Sequence, residues 1–330
     1  SIIIDYWKDE EEKIYFQDVF NEWMHERREF GEIEMSSYAR YYTDFKRFFK
    51  ENEQFCKIRF QQIEEHDIER FIKKQIKDKE LTKKSYSMLR ILIMGTFRFA
   101  KSRGYTKISI STFFKDLYLP DAIFKRKKKK SSEEEVFSEN EVVKLANYFR
   151  NNPTIINMGL LLQFQTGLRV GELSSLKRED IKGRYINVSN TEENYKDPDT
   201  NERVVGTKNT TKSQAGDRLV IIPDGAKSTI DTILSLSNGE YLFSKNGKRI
   251  TTNSFRYYLE KACLNVGINP RSPHKTRKTY ASTLLANSVN ETLVQEMMGH
   301  ADISTTRKCY YYDMQSRSKR EKEIDRVITL

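Results

Sequence analysis

The chain has 330 residues, 37% hydrophobic and 32% charged, with 19 Phe and 18 Tyr; this is enough for about two domains with their own cores and excludes wholesale disorder. Only 14 Gly and 6 Pro occur, which disfavours collagen-like, repetitive β or loop-rich architectures. Lys and Arg number 58 against 47 Asp and Glu, a formal net charge of +11 that points to a polyanionic partner, nucleic acid ahead of an acidic membrane surface.

In chain order, residues 1–13 read as a tail. Ser1-Ile-Ile-Ile-Asp5 has no basic region and no signal-peptide core, and it begins without Met, as expected of a processed chain or a piece of a longer one. Residues 14–118 carry four amphipathic helical patterns. Tyr15, Val19, Phe20 and Trp23 mark the first. The second starts at Ser36 or Ser37 and runs through Tyr38, Tyr42, Phe45 and Phe49. The third has Asp67 as its expected N-cap, then Ile68, Phe71, Ile72 and Ile76; the fourth holds Tyr86, Leu89, Ile93 and Phe97 and ends near Gly104. Four such helices predict a small bundle with basic outer faces. Leu89 to Ala100 is the most apolar run, but Arg90 and Arg98 interrupt it, so no membrane span is expected.

Residues 119–137 read as a linker. Lys125, Arg126, Lys127, Lys128, Lys129 and Lys130 are consecutive, and Glu133, Glu134 and Glu135 follow, a charge block expected not to pack. The basic run is a candidate phosphate contact, with a solvated spacer as the alternative. A second domain, 138–312, opens with the capping-box pattern Ser138-Glu-Asn-Glu141 ahead of Val142, Val143, Leu145 and Phe149. Helical signals continue to Gln165. Tyr185 to Val188, Arg203 to Val205 and Arg218 to Ile222 then predict a three-stranded antiparallel sheet. Helical periodicity returns at Ser254 to Cys263, Thr276 to Ala286 and Thr292 to Met298. In the tail, 313–330, Ile324, Val327, Ile328 and Leu330 share one helical face.

No phosphate-loop, dinucleotide or zincin motif occurs, so no cofactor is expected. The three Cys, Cys56, Cys263 and Cys309, are too dispersed for a disulfide framework or a metal knuckle, which favours a reducing, cytoplasmic setting.

Four segments of the second domain stand out: Thr166-Gly-Leu-Arg-Val-Gly-Glu-Leu173, Thr211-Lys-Ser213, Pro273-His-Lys-Thr-Arg277, and Met298-Gly-His300 leading to Tyr310-Tyr-Tyr312. Together, in this order and spacing, they resemble the tyrosine recombinase, or phage integrase, family. The resemblance implies a catalytic set of Arg169, Lys212, His274, Arg277, His300 and the nucleophile Tyr310. Lys208 remains the alternative to Lys212, because the hairpin insertion from Ser189 to Glu202 is long and polar, and Tyr311 is the alternative to Tyr310. The fold implied is mainly α (α+β): an N-terminal four-helix core-binding domain and a mostly helical catalytic domain with a small antiparallel three-stranded sheet.

The chemistry fits these residue types. Attack on a phosphodiester builds charge on its non-bridging oxygens, and two guanidiniums supply fixed charge and paired donors. A Tyr hydroxyl acts as nucleophile, a Lys protonates the leaving 5′-oxygen, one His assists removal of the Tyr proton and the other donates to the phosphate. The resemblance further implies double-stranded DNA as partner, a homo-tetramer with strand exchange through a Holliday junction, and DNA-bending or directionality factors; within the family, the long charged first domain and the low-Gly, Lys-rich composition point to a mobile-element integrase, with a chromosome-dimer resolvase as the alternative. Many such integrases carry an arm-binding domain upstream, and the Ser1 start fits a chain lacking it. A tail helix docking on the next protomer is expected, with packing on its own domain as the alternative. A type IB topoisomerase-like strand transferase and a non-catalytic DNA-binding regulator remain the other readings.

Overall fold

The computed structural model describes residues 14–49, 53–126, 131–209, 217–299 and 312. Two compact units divide the chain: Ser1–Lys128 with Asn194–Val204, and Lys129–Glu193 with Val205–Leu330.

The first unit is built on helices α1 (Phe16–Glu29), α2 (Met35–Phe49), α3 (Glu65–Asp78), α4 (Lys83–Ser102) and α5 (Ile110–Asp116). The α1 stripe of Phe16, Val19, Phe20 and Met24 is fully buried. Its rings meet those of α2 at close range, with centroids 4.7 Å apart for Phe16 and Phe49 and 4.1 Å for Phe20 and Phe45. Such pairs add about 0.5–1.5 kcal/mol each beyond area burial, so Phe accounts for much of this core. Asp67 is not the N-cap of α3. The N-cap is Glu64, three residues earlier, and Asp67 accepts a hydrogen bond from the Glu64 N–H at 3.0 Å, filling the third-position role of a capping box. Thr82 caps α4 by accepting from the Ser85 N–H, and the chain leaves that helix through Gly104 in the left-handed region.

The second unit starts within the charge block, and there the expectation of an unpackable linker fails. Glu135 is buried and paired with Lys275 and Lys278, and Phe137 is fully buried with its N–H donating to Thr279 Oγ1 at 2.9 Å. The acidic residue packs because two ammonium groups meet it. At the basic end, the Lys125 N–H donates to Leu81 O at 3.0 Å and its ammonium pairs with Glu80, while Arg126 is exposed. Lys127, Lys128, Lys129 and Lys130 lie outside the described residues.

Helix α6 (Glu139–Asn151) carries the capping box expected at Ser138 and Glu141. It buries Leu145 and Phe149, whereas Val143 points to solvent because it falls off the Val142, Leu145, Ala146, Phe149 stripe. Helix α7 (Ile155–Thr166) is apolar on every side and packs against α6, α9 (Lys227–Leu236), α10 (Thr252–Asn265) and α11 (Pro273–Ala286), the centre of this core. Short α8 (Val170–Ser175) follows α7, and α12 (Glu291–Met298) ends the described helices.

A three-stranded antiparallel sheet is present with one member exchanged. Its order is β1 (Ile181–Lys182), β2 (Tyr185–Val188), β5 (Arg218–Ile221). The Arg203 segment instead lies in β4 (Arg203–Asn209), which pairs with β3 (Asn190–Lys196) in a separate hairpin. That hairpin is largely polar and offers no apolar face to the sheet core. In β5 the side chains alternate, so Arg218 and Val220 face inward while Leu219 is exposed. An arginine is therefore aimed into the core, where it requires a partner. Among the described residues no helix is long and apolar enough to cross a membrane.

Candidate active site

Helix α7 ends at Gly167, whose φ is +67° and where a Cβ would lie 2.2 Å from a Tyr280 ring carbon. Only glycine suits both the left-handed backbone and the contact. The chain turns there and presents Arg169 as the N-cap of α8. The Arg169 N–H donates to Glu172 Oε2 at 2.8 Å and its Nη1 to Oε1 at 2.7 Å. Glu172 is buried, and the inward-facing Arg218 clamps it bidentately, at 3.0 Å to Oε1 and 2.9 Å to Oε2. Burial alone would raise the Glu172 pKa. The hydrogen bonds and charge of Arg218, then the charges of Arg169 and Arg277, outweigh it and hold the carboxyl at about 2.

Arg277, on α11, is 0% exposed. Its Nη1 donates to Gly167 O at 2.8 Å and its Nη2 to Met298 O. Arg218 Nε donates to Met297 O at 2.9 Å, and Arg169 Nη2 to Gly299 O at 3.1 Å. Three consecutive carbonyls at the end of α12 thus each accept from a different arginine. A helix C-terminus leaves its last carbonyls without helical partners and carries partial negative charge, so the three cations satisfy both needs. Gly299, left-handed at φ 57°, ends the helix. The arginines therefore fix the exit of α12 directly before His300.

Of the sequence-derived set, Arg169, His274 and Arg277 are described, and Arg169 and Arg277 converge on neighbouring carbonyls. His274 lies on α11 one turn before Arg277, on the same face. Its imidazole reaches solvent on one side. Crowding by the protein on the other side, then the positive charges of Arg277, Lys278, Lys275 and Arg169, push its pKa down to about 4. At neutral pH it is uncharged and able to accept a proton. Of the two arginines, Arg169 has the side chain open to a ligand, 41% exposed. Lys212, His300 and Tyr310 lie outside the described residues; Lys208, on β4, pairs with Glu193 at 3.7 Å. Among the described residues no group of three or more His, Cys, Asp or Glu side chains is arranged to hold a metal ion.

Residues 135–317, more than half of the chain, match the phage integrase family. The chain belongs to that family. The tyrosine recombinase XerD of Oceanobacillus iheyensis is 27% identical over 288 residues, which cover 82% of this chain and 85% of that protein. The tyrosine recombinase XerC of Thermodesulfovibrio yellowstonii is 26% identical over 283 residues, 83% of this chain and 85% of that one. Among solved structures, the Tn1549 transposon integrase in complex with a circular intermediate DNA superposes with a TM-score of 0.70 at 15% identity, over 95% of this chain and 99% of that one. A lambda integrase from a tetramer bound to a Holliday junction gives 0.62 at 15% identity, over 95% and 82%. These two likenesses are of fold.

The protein is thus a tyrosine-type site-specific DNA recombinase. Glu172 lies in the turn singled out in the sequence but had no assigned part there, and Arg218 was marked only as the start of a strand. An acidic residue three positions after a helix-start arginine is a capping-box signal, and the parity of Arg218 with Val220 puts it on the core face. The Lys275–Glu135–Lys278 cluster had no signal in the sequence, since Glu135 is far in sequence from the two lysines of α11 and meets them only through the fold.

Two outcomes follow for the recombinase. The Glu172 carboxyl is held below its usual 4.5, so its contribution to stability is complete above that pH and is lost as pH falls through about 2. Near neutral pH, Glu172→Gln leaves Arg218 buried with a neutral partner and costs roughly 3–5 kcal/mol. In chemical unfolding at a series of pH values, the gap between wild type and variant should narrow from pH 4.5 toward 2. A gap independent of pH would remove the ion pair from the account. For His274, an NMR titration of the free protein should give a midpoint well below the usual 6.5, and a bound phosphodiester should raise it by offsetting the four surrounding cations. An ordinary midpoint in the free protein would contradict this electrostatic description.

Proposed function

We propose that the protein cleaves and rejoins double-stranded DNA through a covalent 3′-phosphotyrosine intermediate, with Tyr310 as nucleophile. The observation that carries the reading is the convergence of Arg169 and Arg277 beside an uncharged His274, at the helix end that leads directly into His300. In this mechanism the Tyr310 oxygen attacks phosphorus, the bond from phosphorus to the 5′-oxygen breaks, the Tyr310 proton passes to His274, and Lys212 protonates the departing 5′-oxygen. Arg169, Arg277 and His300 bind the charge that grows on the non-bridging oxygens. The phosphotyrosine bond retains the energy needed for rejoining, so the cycle is isoenergetic and strands exchange through a Holliday junction.

Two duplexes and four protomers form the working assembly, with DNA-bending or directionality factors joining it. The basic run from Lys125 to Lys130 contributes backbone contacts. Residues 14–118 serve as the core-binding domain and 138–312 as the catalytic domain, with the 313–330 tail docking on a neighbour. The setting is the cytoplasm, consistent with the free thiols of Cys56 and Cys263, and the role is integration of a mobile element.

The test is incubation with a library of randomised duplexes, followed by recovery of covalent protein–DNA species from denaturing gels. Wild type should yield adducts and Tyr310→Phe none, while the variant retains DNA binding. An adduct that survives in Tyr310→Phe and vanishes in Tyr311→Phe would shift the nucleophile by one residue. On duplexes with sulfur in place of the bridging 5′-oxygen, Lys212→Ala should cleave near the wild-type rate, although on oxygen it loses roughly 10²–10⁴-fold. Rescue of Lys208→Ala instead would transfer the acid role to Lys208.

A further inference from the structure

Tyr312 lies two residues beyond Tyr310 and docks on a built polar site of the second unit. Its phenol oxygen accepts a hydrogen bond from Lys278 Nζ at 3.1 Å, and its O–H donates to Glu135 Oε2 at 3.4 Å. The Lys278 ammonium also stands 4.9 Å from the Tyr312 ring centroid, a cation–π contact. The site is rigidly paired. Glu135 is buried between Lys275, at 2.6 Å, and Lys278. One carboxylate faces two ammonium groups, which leaves a surplus positive charge, and the phenol oxygen and the electron-rich ring face satisfy it. The Tyr312 hydroxyl bridges both members of the Lys278–Glu135 pair, a role that Phe cannot fill.

The position of this site matters as much as its chemistry. Lys278 directly follows Arg277 and lies one turn from His274, so Tyr312 is seated on the helix that carries two groups of the proposed phosphate pocket. Two residues of chain span at most about 7 Å. A group two residues along the chain from such an anchor is therefore on a tether of that length from α11.

We propose that Tyr312 is a positioning residue, an anchor on Lys278 and Glu135 that holds Tyr310 close to Arg277 and His274 of its own chain for attack. This rests on the reading of Tyr310 as nucleophile. An anchored nucleophile reacts as an intramolecular group and a loosened one does not, and small misplacements from outside the reacting atoms can cost on the order of 10²-fold.

The test uses the full chain and duplexes recovered as covalent adducts from the randomised library. Single-turnover adduct formation at saturating DNA is read beside DNA affinity and melting temperature. Tyr312→Ala should leave affinity and melting temperature unchanged and slow adduct formation on the order of 10–100-fold. Tyr312→Phe, which keeps the ring over Lys278 and loses both hydrogen bonds, should recover part of that loss without reaching the wild-type rate. A wild-type or faster rate in Tyr312→Ala overturns the anchor alone, as does a wild-type rate in Tyr312→Phe. No adduct from the wild-type chain overturns the anchor together with the recombination chemistry it serves. Loss of the adduct in Tyr312→Phe with its retention in Tyr310→Phe would make Tyr312 the nucleophile and overturn both readings of these tyrosines.

Discussion

A buried carboxylate is costly unless its charge is met, and Glu172 is met by more than one cation. That requirement organises the catalytic unit. Arg218 meets it from β5 and Arg169 from the start of α8, and each then has a further donor for the end of α12. Arg277 completes the set from α11 and ties the same helix end to the Gly167 turn. One acidic side chain thereby ties a helix start to a strand and, through their arginines, both to a helix terminus distant in sequence.

The chemistry of the site follows from this packing. Three guanidiniums held close together would repel one another, and the carboxylate and the helix-end carbonyls offset that repulsion; burial first, then the positive charges of Arg277, Lys278, Lys275 and Arg169, keeps His274 uncharged. A pocket that is positive overall, yet contains an uncharged imidazole, suits an anionic substrate that needs proton removal beside it. Before a ligand is bound, Arg169 and Arg277 differ in access: Arg277 is wholly enclosed and braces the turn against the helix end, whereas Arg169 is already open to solvent.

Much of the fold was legible because helical periodicity is a strong signal: Val19, Phe20 and the Ser138–Glu141 capping box lie where the pattern puts them, although the buried stripe of α1 runs on through Phe16 and Met24 rather than Tyr15 and Trp23. The resemblance to the family rested on residues grouped in turns and helix starts, and the family match covers those segments. What escaped was set by tertiary partners. Arg203 to Val205 has the composition of a strand, but composition does not say which neighbour it pairs with, and it joined the polar hairpin. The acidic end of the charge block looked too charged to pack until Lys275 and Lys278 met it. Arg218 looked like an ordinary strand-start cation, and only the pairing of β5 with β2 turns it inward.

The central claim is that Glu172 and Arg218 act as one unit in holding the site together. It is tested most directly by a double-mutant cycle in unfolding free energy at neutral pH, using Glu172→Gln, Arg218→Gln and the pair. The account predicts strong coupling, with the double variant little worse than either single one and an interaction energy toward the upper end of the ~0.5–3 kcal/mol seen for contacting residues. Losses that add to within about 0.5 kcal/mol would show two independent residues and contradict it.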